Sequence, residues 1–277
     1  IAQRVKVCDG SWEAAYFVTL ARNYGFGING DAFETWAKQI PLQSIDHHRD
    51  NLMQIEAFFL GQAGLLETTA IPERYQQQAL NDSYLTELKS EYQYLAHKFS
   101  LQAMDANQWR FLRLRPQNFP HIRIAQLAHL YYEQRAGLSQ LLECESVKQV
   151  RELLATQVTH YWETHYVFGE KSAKSEKKLS TASLNLQIIN TVAPILFAYG
   201  KHKNSEKYCE CAFDFLETLK AEENHIVRMW KEVGLMVETA GDSQALIQLK
   251  KEYCDRKDCL RCRIGYEYLK GSSSIKG

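Results

Sequence analysis

Apolar residues recur at spacings of three and four along nearly the whole chain, and an alternating strand pattern is almost nowhere to be found. The first period places apolar side chains on one face of an α-helix, whereas a half-buried strand needs a period of two. The spacing therefore predicts an all-α fold. Ser11 caps a helix whose apolar face runs Trp12, Ala15, Tyr16 and Leu20, with Gly25 as its stop. A second helix over 30–39 presents Phe33, Trp36 and Ala37 before Pro41 ends it. A third is predicted over 44–62, carrying Leu52, Ile55 and Phe59 on one side. Between Pro72 and Phe99 a polar stretch keeps Tyr75, Leu85, Leu88, Tyr92 and Leu95 at helical spacing. Trp109 to Pro120 reads as a short helix followed by an extended connector, broken by Pro116 and Pro120. Helix resumes over 120–134, 147–155, 183–199, 205–233 and 243–253. The expected architecture is one irregular multi-helix domain over 1–277, of roughly ten helices, ending in a cysteine-containing basic tail. The lysine- and serine-rich stretch Glu170–Ser180 is the expected mobile loop and soft seam at 170–180.

Hydrophobic residues make up 45% of the 277, enough for a real core. The 33 basic and 33 acidic side chains cancel, which argues against a life of bulk attraction to nucleic acid or membrane but leaves room for a local patch. No segment approaches the roughly 18 consecutive apolar residues of a membrane span. The best run, Ile188 to Tyr199, is interrupted by Asn190, Thr191 and Pro194 and reads as a buried helix with a core kink. Seven cysteines is an odd number, and a large core makes disulfides unnecessary, so reduced thiols in the cytoplasm and no membrane partner are expected. The chain starts at Ile1 with neither Met nor signal pattern, and reads as a piece of something longer.

The most distinctive segment is Trp109-Arg-Phe-Leu-Arg-Leu-Arg-Pro-Gln-Asn-Phe-Pro120, followed by Arg123. From Leu101 to Arg135, five Arg stand against one Asp and one Glu, a local excess of +3. Guanidinium forks suit phosphate and carboxylate oxygens because paired N–H donors meet paired acceptors in a plane. Arg110, Arg113, Arg115, Asn118 and Arg123 are therefore the candidates for binding an anion or nucleic acid, with Trp109 and Phe119 as stacking surface. The competing reading pairs these arginines with acidic residues on neighbouring helices, where they pin an irregular connector in place.

Cys254, Cys259 and Cys262 form the second feature. Three thiolates at this spacing match three ligands of an iron–sulfur pattern or part of a zinc site. No cysteine follows Cys262, so a fourth ligand must come from upstream, with Cys209 or Cys211 as candidates. The alternative is three unligated thiols. Between Lys250 and Gly277, eight basic residues face four acidic ones, an excess of +4 that could assist an anion site. Glu222-x-x-His225 has a di-iron spacing but lacks its second pair. His160, Glu163 and His165 do not have zinc-protease spacing, and His47-His48 reads as helix decoration. Phosphate-binding Gly-rich loops and the Gly-x-Ser-x-Gly elbow are absent, so no catalytic constellation is recognisable.

Five phrases carry a resemblance: Ala21-Arg-Asn-Tyr-Gly-Phe-Gly-Ile-Asn-Gly-Asp-Ala-Phe-Glu34, Glu56-Ala-Phe-Phe-Leu-Gly-Gln-Ala-Gly64, Arg113-Leu-Arg-Pro-Gln-Asn-Phe-Pro120 with Arg123-Ile-Ala-Gln-Leu-Ala128, Ile189-Asn-Thr-Val-Ala-Pro194, and Cys259-Leu-Arg-Cys-Arg-Ile-Gly265. Over nearly its whole length the chain resembles the bacterial family of unknown function 2851, common in Bacteroidetes. The resemblance implies a longer protein whose N-terminal β-rich region carries an acidic, Glu-x-His-x-Lys-like pattern reminiscent of metal-dependent nucleases. On that basis the chain is expected to be a helical scaffold or interaction domain supporting an absent, nuclease-like N-terminal region. The alternative is a nucleic-acid- or phosphate-binding module built on the Arg-rich segment.

Overall fold

Every residue from Pro120 to Tyr131 is buried in the Pro120–Tyr132 helix of a computed structural model, which describes residues 1–46 and 48–273. A helix buried on all sides belongs at the centre of a core. Ile122, Ile124, Leu127 and Leu130 supply its apolar surface, and His121, Arg123, Gln126 and His129 are buried with them. The Leu52–Gln62 helix packs on it and also against the Ser83–Phe99 helix. Close approach of the last two rests on Gly61, where a methyl group would stand 2.1 Å from Tyr92 Cγ. The Trp12–Tyr24 and Gly30–Lys38 helices pair with each other. Aromatic rings tie these elements together: Trp36 meets Phe59 edge-on at 5.2 Å, and Phe59 meets Tyr131 at 5.8 Å. The Trp36 indole N–H donates to the Phe59 carbonyl at 3.0 Å, so its polar atom is satisfied inside the core.

The all-α expectation holds: among the described residues there is no strand, and only the isolated bridges His165–Lys171 and Lys220–Thr239. Ser11 accepts from the Ala14 N–H at 3.2 Å and starts the first predicted helix, which Gly25 follows. Helices outnumber the ten expected because several long predictions are split by local capping. The 44–62 stretch becomes Leu42–Asp46 and Leu52–Gln62, the second started by the Asn51 side chain accepting from Gln54 N–H at 3.3 Å. The 72–99 stretch becomes Glu73–Leu80 and Ser83–Phe99, because the Asp82 carboxylate accepts from the N–H groups of Tyr84 and Leu85. No α-helix forms over 109–119, where only a Pro116–Asn118 3₁₀ turn occurs.

Thr181–Gln187 continues through a wide π turn, Ile188–Val192, into Ala193–Lys203. Pro194 has no N–H to give the preceding turn, and the wide turn accommodates it. The Asn23 side chain fills the opening, donating to the Asn190 carbonyl at 2.9 Å and to Thr191 Oγ1 at 2.8 Å. This 181–203 stretch is long and apolar enough to cross a membrane by length and composition, and half of its most apolar window is buried in the fold.

Two units divide the chain, Ile1–Cys209 and Glu210–Gly277. The expected seam at 170–180 lies inside the first, and Lys177 and Leu179 within it are buried. In the second, the expected 205–233 helix breaks after Thr218 and restarts at His225, capped by Asn224 accepting from the Val227 N–H at 3.0 Å. Phe215, Leu219, Val227 and Ala240 form its small core. Ala240–Leu249 runs into a π turn, Lys250–Cys254. The expected tail is partly helical, over Arg263–Ser273, and residues 274–277 lie outside the described residues.

Candidate functional site

The connector after Trp109 has an irregular backbone held at both ends. Trp109 is buried, with its indole N–H donating to the Ala63 carbonyl at 2.8 Å and its ring edge-on to Phe33 at 4.9 Å. Next to it, the Asn29 side chain grips both sides of the Arg110 peptide. Its amide donates to the Arg110 carbonyl at 2.8 Å, and its oxygen accepts the Arg110 N–H at 2.9 Å. The rings of Phe111 and Phe119 meet at 5.3 Å and close the segment on itself. Arg113 sits in the left-handed region at φ +65°, a conformation that an L side chain adopts at some cost.

On this held backbone, Arg110, Arg113 and Arg115 are exposed, and none has an ion pair or side-chain hydrogen bond among the described residues. Leu112 stands 81% exposed between them. The helix that follows starts without a capping side chain and has no acidic residue in its first turn. Its first residues, Pro120, His121 and Ile122, are buried, so this helix end is closed to a solvent anion.

Arg123 does not belong to the exposed set. It is 5% exposed, donates to Gln126 Oε1 at 2.8 Å and to Asn118 Oδ1 at 2.5 Å, and lies 4.5 Å from the Phe26 ring. Among the described residues no carboxylate pairs with it and its Nε has no partner. Burial pulls its pKa down to about 10, so it stays cationic at neutral pH. Gln126 in turn donates to the Lys177 carbonyl at 2.7 Å. Lys177 is itself buried, with its ammonium donating to the Trp162 carbonyl and lying 4.1 Å from the Tyr166 ring. Arg123 and Asn118 thus fasten the connector to the central helix. Asn29 was not singled out by the sequence reading, because it lies 81 positions from the peptide it grips.

Cys254 and Cys259 are exposed and Cys262 is buried, while Cys209 belongs to the first unit and Cys211 to the second. Among the described residues, no group of three or more His, Cys, Asp or Glu is placed to hold a metal ion. Glu222 accepts from the Gln244 amide rather than facing a second carboxylate. His160 pairs with Glu163 at 2.8 Å on the surface, whereas His165 is largely buried, with Nδ1 2.9 Å from the Tyr161 carbonyl. His48 contacts Gln54 at 2.8 Å, and His47 lies outside the described residues.

Searches of the curated proteins and of the solved structures find no match. The model for the family described as protein of unknown function (DUF2851) does match, over residues 1–225, a span that includes the whole first unit. The chain belongs to that family.

Proposed function

We propose that the first unit binds the phosphate backbone of a nucleic acid through Arg110, Arg113 and Arg115. The observation that carries this reading is three exposed guanidinium groups, free of carboxylates, on a backbone held by Asn29, Trp109 and the Phe111–Phe119 contact. A held backbone leaves only side-chain freedom to lose on binding, which favours affinity. The scaffold reading asks for Arg113 and Arg115 in salt bridges, and neither has an ion pair among the described residues. That observation favours the binding module.

Anisotropy titrations with labelled duplex DNA at about 50 and about 200 mM salt test the proposal. Three phosphate contacts at a slope of about −0.9 each weaken binding roughly 40-fold across that range. Each of Arg110→Ala, Arg113→Ala and Arg115→Ala should reduce the slope by about 1. No binding at the lower salt, or a triple variant that binds like the parent, overturns it.

A further inference from the structure

A cleft of about 520 Å³ lies within the first unit, lined by Gln78, Asp82, Tyr84, Tyr161, His165 and Lys171 among others. None of these belongs to the arginine connector. Its wall is a stack of three rings. Tyr161 lies nearly parallel to Tyr84, with centroids 4.3 Å apart and 14° between planes, and nearly parallel to His165, at 4.0 Å and 3°. Two rings that close to one ring must occupy its opposite faces, so Tyr161 is the middle of the stack.

Each ring is fastened by its polar atom. The Tyr84 hydroxyl donates to the buried Glu56 carboxyl, which also accepts from Thr159 Oγ1 at 3.3 Å. The Tyr161 hydroxyl donates to Asp82 Oδ2 at 2.5 Å, and the other Asp82 oxygen caps the Ser83–Phe99 helix. His165 Nδ1 lies 2.9 Å from the Tyr161 carbonyl. A carbonyl only accepts, so Nδ1 carries the hydrogen and Nε2 is the acceptor nitrogen of the neutral ring. Among the described residues Nε2 has no hydrogen bond of its own, and His165, 7% exposed, lines the cleft.

The loop carrying His165 is pressed on the Glu73–Leu80 helix. Gly169 has φ +78°, and a methyl group there would stand 2.5 Å from the Tyr75 carbonyl oxygen and 2.9 Å from Ala79 N. The bridge between His165 and Lys171 and the Ser172 N–H to Thr164 carbonyl bond at 2.8 Å bring Lys171 back beside His165 in the cleft lining. Lys171 arrives there exposed and without an ion pair among the described residues. Gln78 is exposed as well. The Asp82 carboxylate, by contrast, already accepts three hydrogen bonds.

The cleft therefore joins a preformed aromatic wall, one unpaired cation, one acceptor nitrogen and one exposed amide. We infer that it binds a nucleoside monophosphate unit, with the base packed against the Tyr84–Tyr161–His165 stack, an exocyclic amino group on His165 Nε2 and the phosphate on Lys171. Aromatic rings bind bases through their faces and edges, an ammonium suits a phosphate, and the volume falls in the range of small-ligand sites. The assignment does not depend on binding at the arginine connector.

Saturation-transfer NMR on the full 277-residue chain with AMP, CMP, GMP and UMP tests it. Transfer to base protons is expected for at least one amino-bearing monophosphate, with AMP the first probe. Lys171→Ala should weaken that monophosphate about tenfold while leaving its nucleoside unchanged. His165→Gln should weaken both, and the Arg110/Arg113/Arg115 triple alanine variant should weaken neither. Competition by a short oligonucleotide in that triple variant assigns the unit to a strand end, and lack of competition assigns it to a free nucleotide; both support the site. Transfer from none of the four overturns it. So does binding that survives both Lys171→Ala and His165→Gln, or that disappears with the connector arginines.

Discussion

The hydroxyl of Tyr84 donates to the carboxyl of Glu56, which is completely buried and has no cation beside it. The other nearby donors, the Thr159 hydroxyl and the Trp162 indole, are uncharged too. The surroundings therefore favour the protonated acid, and burial raises the Glu56 pKa to about 7 even though these donors pull it back. His121 is its counterpart in the same unit. It is fully buried among Phe111, Trp162 and Phe168, with no partner for either ring nitrogen, and burial lowers its pKa to about 3.

Glu56 should make the fold lose stability with rising pH. The folded state keeps a proton that the unfolded chain releases from its ordinary value of 4.5 upward, so the loss develops from there to about 7. The full penalty is roughly 3 kcal/mol above that window. Urea denaturation at about pH 8 should find Glu56→Gln more stable than the parent, since Gln keeps an acceptor for Tyr84 without a charge. Equal midpoints for the two proteins at that pH would contradict the assignment.

His121 should act at the acid side. The unfolded chain takes up a proton below the ordinary value of 6.5, and the folded ring refuses it until about 3, so stability falls as pH drops through that interval. His121→Phe removes two unpartnered nitrogens and keeps a ring among rings. It should raise the melting temperature at neutral pH, by a few degrees if about 1 kcal/mol is gained, and raise it further at about pH 5. A variant less stable than the parent at both values would mean that the ring nitrogens are satisfied in solution.

Arg113 combines an exposed side chain with a left-handed backbone. Glycine adopts that conformation without strain, although it also gains freedom in the unfolded chain. Arg113→Gly should therefore leave stability unchanged or raise it by up to about 1 kcal/mol while weakening DNA binding. Arg113→Ala should weaken binding to the same extent without the gain. Calorimetry alongside the titrations checks this, and a drop in stability of Arg113→Gly beyond about 1 kcal/mol would speak against the strain.

Gly61→Ala should be damaging although alanine is the better helix former. The added methyl meets the Tyr92 ring at 2.1 Å from Cγ, so the ring or the helix must move. Overpacking of this kind costs about 1–3 kcal/mol. The denaturant midpoint should fall with an unchanged slope, and Tyr92→Ala in the same chain should recover part of the loss attributable to the clash.

The fold class was legible because helical periodicity is a local property, and Ser11, Gly25 and Pro41 marked real boundaries. Caps inside long periodic stretches were harder to read. Asn51, Asp82 and Asn224 each begin a new helix, yet apolar spacing continues across the break. The connector was legible from Pro116 and Pro120, and its arginines from composition. What composition does not separate is Arg113 from Arg123: one faces solvent and the other is sealed, a difference set by tertiary burial. The cleft was invisible for a related reason. Tyr161 meets Asp82 across 79 positions and Tyr84 meets Glu56 across 28, and no local pattern encodes either pairing.

The wide turn at Ile188–Val192 does more than make room for Pro194. The buried positions Leu184, Ile188, Val192, Leu196 and Gly200 recur every fourth residue. In a regular α-helix each such step overshoots a full turn by about 40°, so the row would spiral away from the neighbours it packs on. One looser turn takes up part of that overshoot and straightens the row. Deleting a single residue from 188–192 would therefore turn Leu196 and Gly200 out of line with Leu184, and the damage would lie in phase rather than in any lost contact at the deletion itself.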